Sequence, residues 1–97
     1  MYRIFGRREK GKYYNREGAY LIAFSGNRTA VVRTPRGYFL LGGGIQGNES
    51  DVECIKRECL EECGYTCTPC AMIAGAETYC IHETKGLYHP IQRYYYG

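Results

Sequence analysis

Three glutamates, Glu58, Glu61 and Glu62, fall within five consecutive residues. On a helix, steps of three and four residues place Glu61 and Glu62 beside Glu58, so the three acids share one patch. They would lie in the last two turns, where the helix dipole is negative and an exposed acid costs about 0.3–1 kcal/mol. Lys56 and Arg57 offset only part of that repulsion. Clustered hard oxygen donors suit Mg²⁺ or Mn²⁺, and magnesium binds through a few carboxylates while sharing its shell with water and substrate phosphates. The alternative is a solvated acidic face, the ordinary fate of a charge run. The residues just upstream favour the cation: Gly42, Gly43, Gly44 and Gly47 make a loop whose main chain can approach a phosphate or a metal closely.

The elements that must hold this patch are legible on either side. Ser50 followed by Glu53 forms a capping box, so a helix begins near Ser50. Val52, Ile55, Cys59 and Cys63 recur at helical spacing as a buried stripe, and Gly64 supplies the left-handed stop. Before the loop, Tyr20 to Phe24 and Thr29 to Arg33 read as two antiparallel strands joined at Ser25, Gly26 and Asn27. Thr34 to Gly37 makes the next turn, and Tyr38 to Leu41 is a buried strand that delivers the glycines. Arg33 and Arg36 lie on this approach, where a guanidinium can hold a diphosphate by paired hydrogen bonds or simply face water. After the helix, Ala71 to Ala74 and Glu77 to Ile81 are short strand pieces around Gly75, and Ile91 to Tyr96 is a further strand. Strands, one helix and more strands imply an α/β fold with a mixed sheet.

Composition bounds the function classes. At 97 residues the chain is one small domain, residues 1–97. A net charge of +3 does not by itself imply nucleic-acid binding. Arg3, Arg7, Arg8, Lys10, Lys12 and Arg16 make the opening locally basic, either a solvated hairpin or ragged edge or a rim that steers phosphates. Salt-sensitive binding to RNA or DNA would be the mark of a basic-arm nucleic-acid binder. No hydrophobic run is long enough for a membrane span and the N-terminus has no apolar signal core, so a soluble, cytoplasmic protein is expected. Of six cysteines, Cys67 and Cys70 form a single C-x-x-C. Zinc needs four ligands, usually from two such pairs, so reduced structural thiols are expected rather than a metal or redox site. His82 and His89 carry no catalytic context. Tyr20, Tyr38 and Tyr94 either stack on a base or pack the strands.

Gly43 to Tyr65 resembles the Nudix box, G-x5-E-x7-R-E-U-x-E-E-x-G-U with U apolar, at Gly43, Glu49, Arg57, Glu58, Cys59, Glu61, Glu62, Gly64 and Tyr65. Cys59 and Tyr65 are less typical apolar choices, and Leu41 stands where a proline often precedes the glycines. The resemblance implies a Nudix-type α/β/α sandwich with a loop-helix-loop beside a mixed sheet. It implies Mg²⁺- or Mn²⁺-dependent hydrolysis of the diphosphate bond in a nucleoside diphosphate linked to another moiety, X. Glu58 and Glu62 would be the core metal ligands, joined by Glu61 and the main-chain carbonyl of Gly43. A glutamate not fully committed to the metal, such as Glu58, would take the water's proton, while Arg57 and Glu49 would pair to lock loop to helix. Family domains usually continue with a further strand or two and a second helix, so the chain is expected to be short at its C-terminus, either truncated or completed by a partner such as a second copy. A further acid outside the box often assists the metal, and downstream only Glu77 and Glu83 are available. The competing function is a silent Nudix-fold module that binds a nucleotide without cleaving it.

Overall fold

The computed structural model describes residues 1–25, 28–29, 31–64 and 66–96, without the side chains of 24, 25, 28, 29 and 32–34. The expected turn at Gly26 and Asn27, the box position Tyr65 and the side chain of Arg33 thus lie outside the described residues.

The strands are β1 (Tyr2–Gly6), β2 (Tyr14–Ile22), β3 (Phe24–Ser25), β4 (Arg28–Thr29), β5 (Val31–Thr34), β6 (Gly37–Gly44), β7 (Ala71–His82) and β8 (Gly86–Tyr96), with one helix, α1 (Asp51–Cys63). Six of them form a mixed sheet in the order β1-β7-β8-β2-β6-β5, and β3 pairs with β4 alone. Parallel pairs, β1 with β7 and β2 with β8, alternate with antiparallel ones. The locally basic opening contains a true edge strand rather than a hairpin.

Several boundaries differ from those expected, each for a physical reason. β2 begins at Tyr14, six residues before the apolar run, because Asn15, Arg16 and Glu17 take their ladder partners from β8 despite their polarity. It pairs with β6 and β8; the expected antiparallel pairing is met at Phe24↔Thr29, between β3 and β4, while β5 forms a hairpin with β6 through the turn at Pro35 and Arg36. β6 continues through all three glycines, and its first half is exposed: Tyr38 and Phe39 face solvent, and only Leu41 and Gly42 are buried. The pieces around Gly75 are one twelve-residue strand with a bulge between Met72 and Ala74. β8 starts at Gly86 although Pro90 interrupts the pattern. Proline offers no ladder donor, and the pairing of β8 to β7 has a gap there, between Cys80↔Tyr88 and Glu77↔Ile91.

α1 has both of its sequence signals. The Ser50 hydroxyl accepts from Glu53 N–H at 3.1 Å and Glu53 Oε1 accepts from Ser50 N–H at 2.9 Å; Gly64 ends the helix at φ 74°. The buried stripe is Cys54, Ile55 and Cys59, shifted from the expected one. Val52 and Cys63 are exposed, because the sheet meets the helix on the side of Leu21, Ala19 and Leu41. Fully burying a side chain such as Ile55 contributes roughly 1.5–3 kcal/mol.

α1 lies on one face of the sheet, over β2 and β6. Among the described residues it is the only helix, so the second helical layer of an α/β/α sandwich has no counterpart. The other face carries tyrosines in cross-strand stacks: Tyr14 on Tyr88 at 5.8 Å and Tyr20 on Tyr94 at 5.7 Å. No helix among the described residues is long and apolar enough to cross a membrane.

Candidate active site

The glycines bring β6 against α1. At Gly42 a Cβ would stand 2.3 Å from the Ala19 carbonyl oxygen, and φ is +130°. At Gly43 a Cβ would stand 2.8 Å from the Glu58 carboxylate. A side chain at Gly42 would push β6 off β2, and one at Gly43 would push it off the helix.

With the main chains this close, polar groups of the box interlock. Arg57 makes a two-pronged contact with Glu49, Nε to Oε2 at 2.9 Å and a terminal nitrogen to Oε1 at 2.7 Å. Glu49 Oε1 also accepts from Gln46 N–H at 3.0 Å. Chiefly through Arg57, the Glu49 carboxyl is held down at about 2. The same guanidinium donates to the Gly44 carbonyl at 3.1 Å, to Glu58 at 2.8 Å and to Glu61 at 3.3 Å. Across the strand, Gly42 N–H donates to Glu62 Oε1 at 2.9 Å. Burial pushes the Glu62 carboxyl up, the Gly42 N–H draws it down, and nearby Glu58 and Glu61 push it up further.

The expected site residues therefore meet, with differing exposure. Glu58 and Glu49 are largely covered, whereas the Glu61 side chain is 58% exposed. The Gly43 carbonyl, the main-chain ligand implied by the resemblance, accepts a hydrogen bond from the Cys54 thiol at 3.4 Å. Cys54 is the site neighbour that the sequence did not single out; its position one step before Ile55 on the buried face is the only signal it offered. In kind, the donors fit a hard divalent cation: neighbouring carboxylates and a main-chain carbonyl offer it hard oxygens. Among the described residues no group of three or more His, Cys, Asp and Glu side chains converges as a cation site. Arg57 holds Glu58 and Glu61, and Gly42 holds Glu62.

A second latch fixes the start of α1. Arg93 on β8 donates to Asp51 at 2.7 and 2.8 Å, and the Tyr95 hydroxyl donates to it at 2.6 Å. Arg93 and Tyr95 share the helix-side face of β8, so Asp51 receives both, and Arg93 chiefly holds the Asp51 carboxyl below its usual range.

A cleft of about 900 Å³ opens beside these groups. β6 stops pairing with β2 at Gly44↔Gly18, whereas β2 starts at Tyr14, so the first residues of β2 run past the end of β6. The cleft occupies that gap, with Glu58 on one side and Arg16, Lys85 and Tyr88 on the other. Arg36 sits in the turn at the opposite end of β6 and does not line it.

No family model and no curated protein matches the chain. Solved structures do, among them the following two. The crystal structure of MutT protein from Methanosarcina mazei Go1 superimposes with a TM-score of 0.67 at 20% identity, over 91% of this chain and 68% of that one. The solution structure of the E. coli ORF135 protein gives a TM-score of 0.62 at 16% identity, over 88% of this chain and 65% of that one. The fold is shared with a MutT protein. The chain spans about two thirds of the length of either structure. The mixed sheet and its single described helix are thus a Nudix-like arrangement.

Elsewhere, the remaining sequence candidates have local roles. All six cysteines are free: Cys54 and Cys59 are buried, Cys67 is half-buried, and Cys63, Cys70 and Cys80 are exposed. His82 Nδ1 accepts from the Thr84 and Lys85 N–H groups and closes the β7–β8 turn. His89 is buried between Asn15 Oδ1 and Glu77 Oε1, each at 2.8 Å, and stacks on Tyr79. Glu77 also accepts from the Tyr2 hydroxyl, while Glu83 is exposed in the turn.

Proposed function

We propose that the chain is a Nudix-type hydrolase that cleaves the diphosphate bond of a nucleoside diphosphate linked to a moiety X, with Mg²⁺ or Mn²⁺. One observation carries the reading: the glycine strand is clamped to the acidic helix by Arg57–Glu49 and Gly42–Glu62, beside a cleft large enough for a nucleotide. A solvated acidic face needs neither clamp.

Glu58 and Glu62, one turn apart, would hold the cation, with Glu61 and the Gly43 carbonyl completing the protein's share. When bound, the cation polarises a phosphoryl oxygen and lowers the pKa of its water. Arg57 orients Glu58 through one nitrogen and pins the loop through the others, so the carboxylate stays beside the glycines. A glutamate not committed to the cation accepts the proton of the attacking water; Glu58 is our assignment. Gly42 N–H keeps Glu62 turned toward β6, and partial burial gives that carboxylate a higher proton affinity than a solvated one.

The test is product release from dinucleotides, nucleotide sugars and nucleoside triphosphates with Mg²⁺ or Mn²⁺, run beside Glu62→Gln. Metal-dependent cleavage that collapses in the variant is expected. Nucleotide binding without cleavage of any substrate would instead assign the chain to the silent-module class.

A further inference from the structure

We infer that Cys59 and Cys67 are a redox pair, which hydrogen peroxide converts into an intrachain disulfide that bolts the end of α1 to the chain entering β7. The pair concerns how the acidic helix is held, not what it cleaves, so it does not rest on the hydrolase reading.

This is not the pair that the C-x-x-C spacing marks. Gly64 ends α1 in the left-handed conformation, and by Cys67 the chain has come back to pack on the core cluster in which Cys59 stands. There the two thiols hydrogen-bond to each other. Thiols in contact need only a side-chain adjustment to reach bonding distance. The other cysteines are engaged elsewhere. Cys63, one helical turn on, is exposed and its thiol donates to the Cys59 carbonyl at 3.0 Å. Cys70 is exposed just ahead of β7, with its N–H tied to the Tyr96 carbonyl at 2.7 Å. Cys54 lies under the Gly43 and Gly44 carbonyls, and the Cys80 thiol donates to the Tyr88 carbonyl at 3.6 Å.

Unequal exposure sets the order of events. Cys67 is half-buried and within reach of a small oxidant, whereas Cys59 is 1% exposed. Burial, and then the hydrogen bond with Cys67, push the Cys59 thiol up, so it keeps its proton until Cys67 has reacted. The Cys67 sulfur attacks one oxygen of the peroxide: an S–O bond forms, the O–O bond breaks, and the leaving oxygen departs as water with the thiol's proton. The Cys59 sulfur then displaces the oxygen on Cys67. An S–S bond forms, the S–O bond breaks, and a second water carries away the Cys59 proton. Two electrons thereby pass from the two sulfurs to the peroxide. The last turn of α1 holds Glu61 and Glu62 and no basic residue, so the helix dipole makes this the weaker end. The bolt falls where the helix is least held, and closing a loop restrains the unfolded chain, so the oxidised protein is the more stable form.

The experiment treats the folded chain with hydrogen peroxide at neutral pH, blocks the remaining thiols, and maps the linkage by mass spectrometry of peptides cut without reduction. Cys59 to Cys67 should be the main bridge, within one chain, and melting temperature should rise by ~5–10 °C. Dithiothreitol should reverse both changes. Cys67→Ser should abolish the bridge and the rise, while Cys70→Ser should keep them. In concentrated guanidinium chloride the preference for this pair should vanish, because the fold and not the spacing brings the thiols together. A main bridge between Cys67 and Cys70, bridges between chains, oxidation to sulfinic acids without any bridge, or a Cys59 to Cys67 bridge that leaves the melting temperature unchanged would each overturn the proposal. The linkage map is read on the wild-type chain, so it decides even where Cys67→Ser folds poorly. None of these readouts uses cleavage, so the hydrolase reading can fail with the thiol pair intact, and the pair can fail in an active hydrolase.

Discussion

The helix wall beside the cleft and the ring wall that lines it hold their charges by different means. On the helix side, carboxylate and guanidinium lock each other: Glu49 to Arg57 at 2.7 Å, and Asp51 to Arg93 at 2.7 Å. In the lining of the cleft, cations lie against rings, with Lys85 on Tyr14 and Arg8 on Tyr13. An ion pair with two-pronged geometry fixes position but uses the charge, because the partner cancels it. A ring fixes position more weakly and leaves the charge free to meet a ligand. The helix wall is therefore where structure and chemistry are coupled, and the ring wall is where charge can be altered without disturbing the fold.

The sharpest break of that contrast is Arg57→Ala. It frees Glu49, Glu58 and the Gly44 carbonyl together, so diphosphate cleavage should fall about 10–100-fold, the usual loss when a partner that orients metal ligands is removed. Melting temperature should fall as well; turnover that changes little would remove the clamp from the mechanism. Next comes Asp51→Asn at the other latch. One charged acceptor of three hydrogen bonds is lost there, at about 1–3 kcal/mol. Thermal unfolding should shift by ~4–8 °C for each kcal/mol lost in a domain of this size, with cleavage largely retained in the folded protein.

Acid should loosen the same wall. The Glu49 carboxyl titrates at about 2 in the fold, against an ordinary value of 4.5. A depressed acid stabilises the fold fully above its unfolded pKa, and that contribution is lost as pH falls toward the folded one. Melting temperature should therefore decline between about pH 4.5 and 2, and Glu49→Gln should flatten part of that decline. A slope identical in the variant would show that the Arg57 pair adds nothing to stability.

The helix wall was legible in the sequence because its determinants are local. The capping box spans Ser50 to Glu53, and the Glu49–Arg57 pair is separated by eight residues inside one motif. The Asp51–Arg93 latch was not legible. Its partners are 42 residues apart and meet only because β8 runs beside β2, under the start of α1. Pro90 also hid the strand that carries His89 into the cleft, and polar Asn15, Arg16 and Glu17 hid the first half of β2. The ring wall assembles from exactly these obscured segments, with Arg8 before β2, Arg16 in it and Lys85 in the turn ahead of β8. Arginine at 33 or 36 looked better placed because it was nearer the glycines in sequence. In the fold, β6 carries Arg36 to its far end.

The smallest stability effect should come from the ring wall itself. Lys85→Gln removes a charge that no carboxylate balances among the described residues, and its alkyl stem can still cover Tyr14 in part. Surface substitutions of this kind usually stay within ±0.5 kcal/mol, so unfolding by denaturant should give a midpoint close to that of the wild-type chain. The same holds for Arg8→Gln, whose ring contacts at 5.3 and 5.8 Å are looser still. A marked loss of stability in both variants would mean that cation and ring act as a structural clamp equal in kind to Arg57–Glu49. The two walls would then differ only in chemistry, not in how they are built.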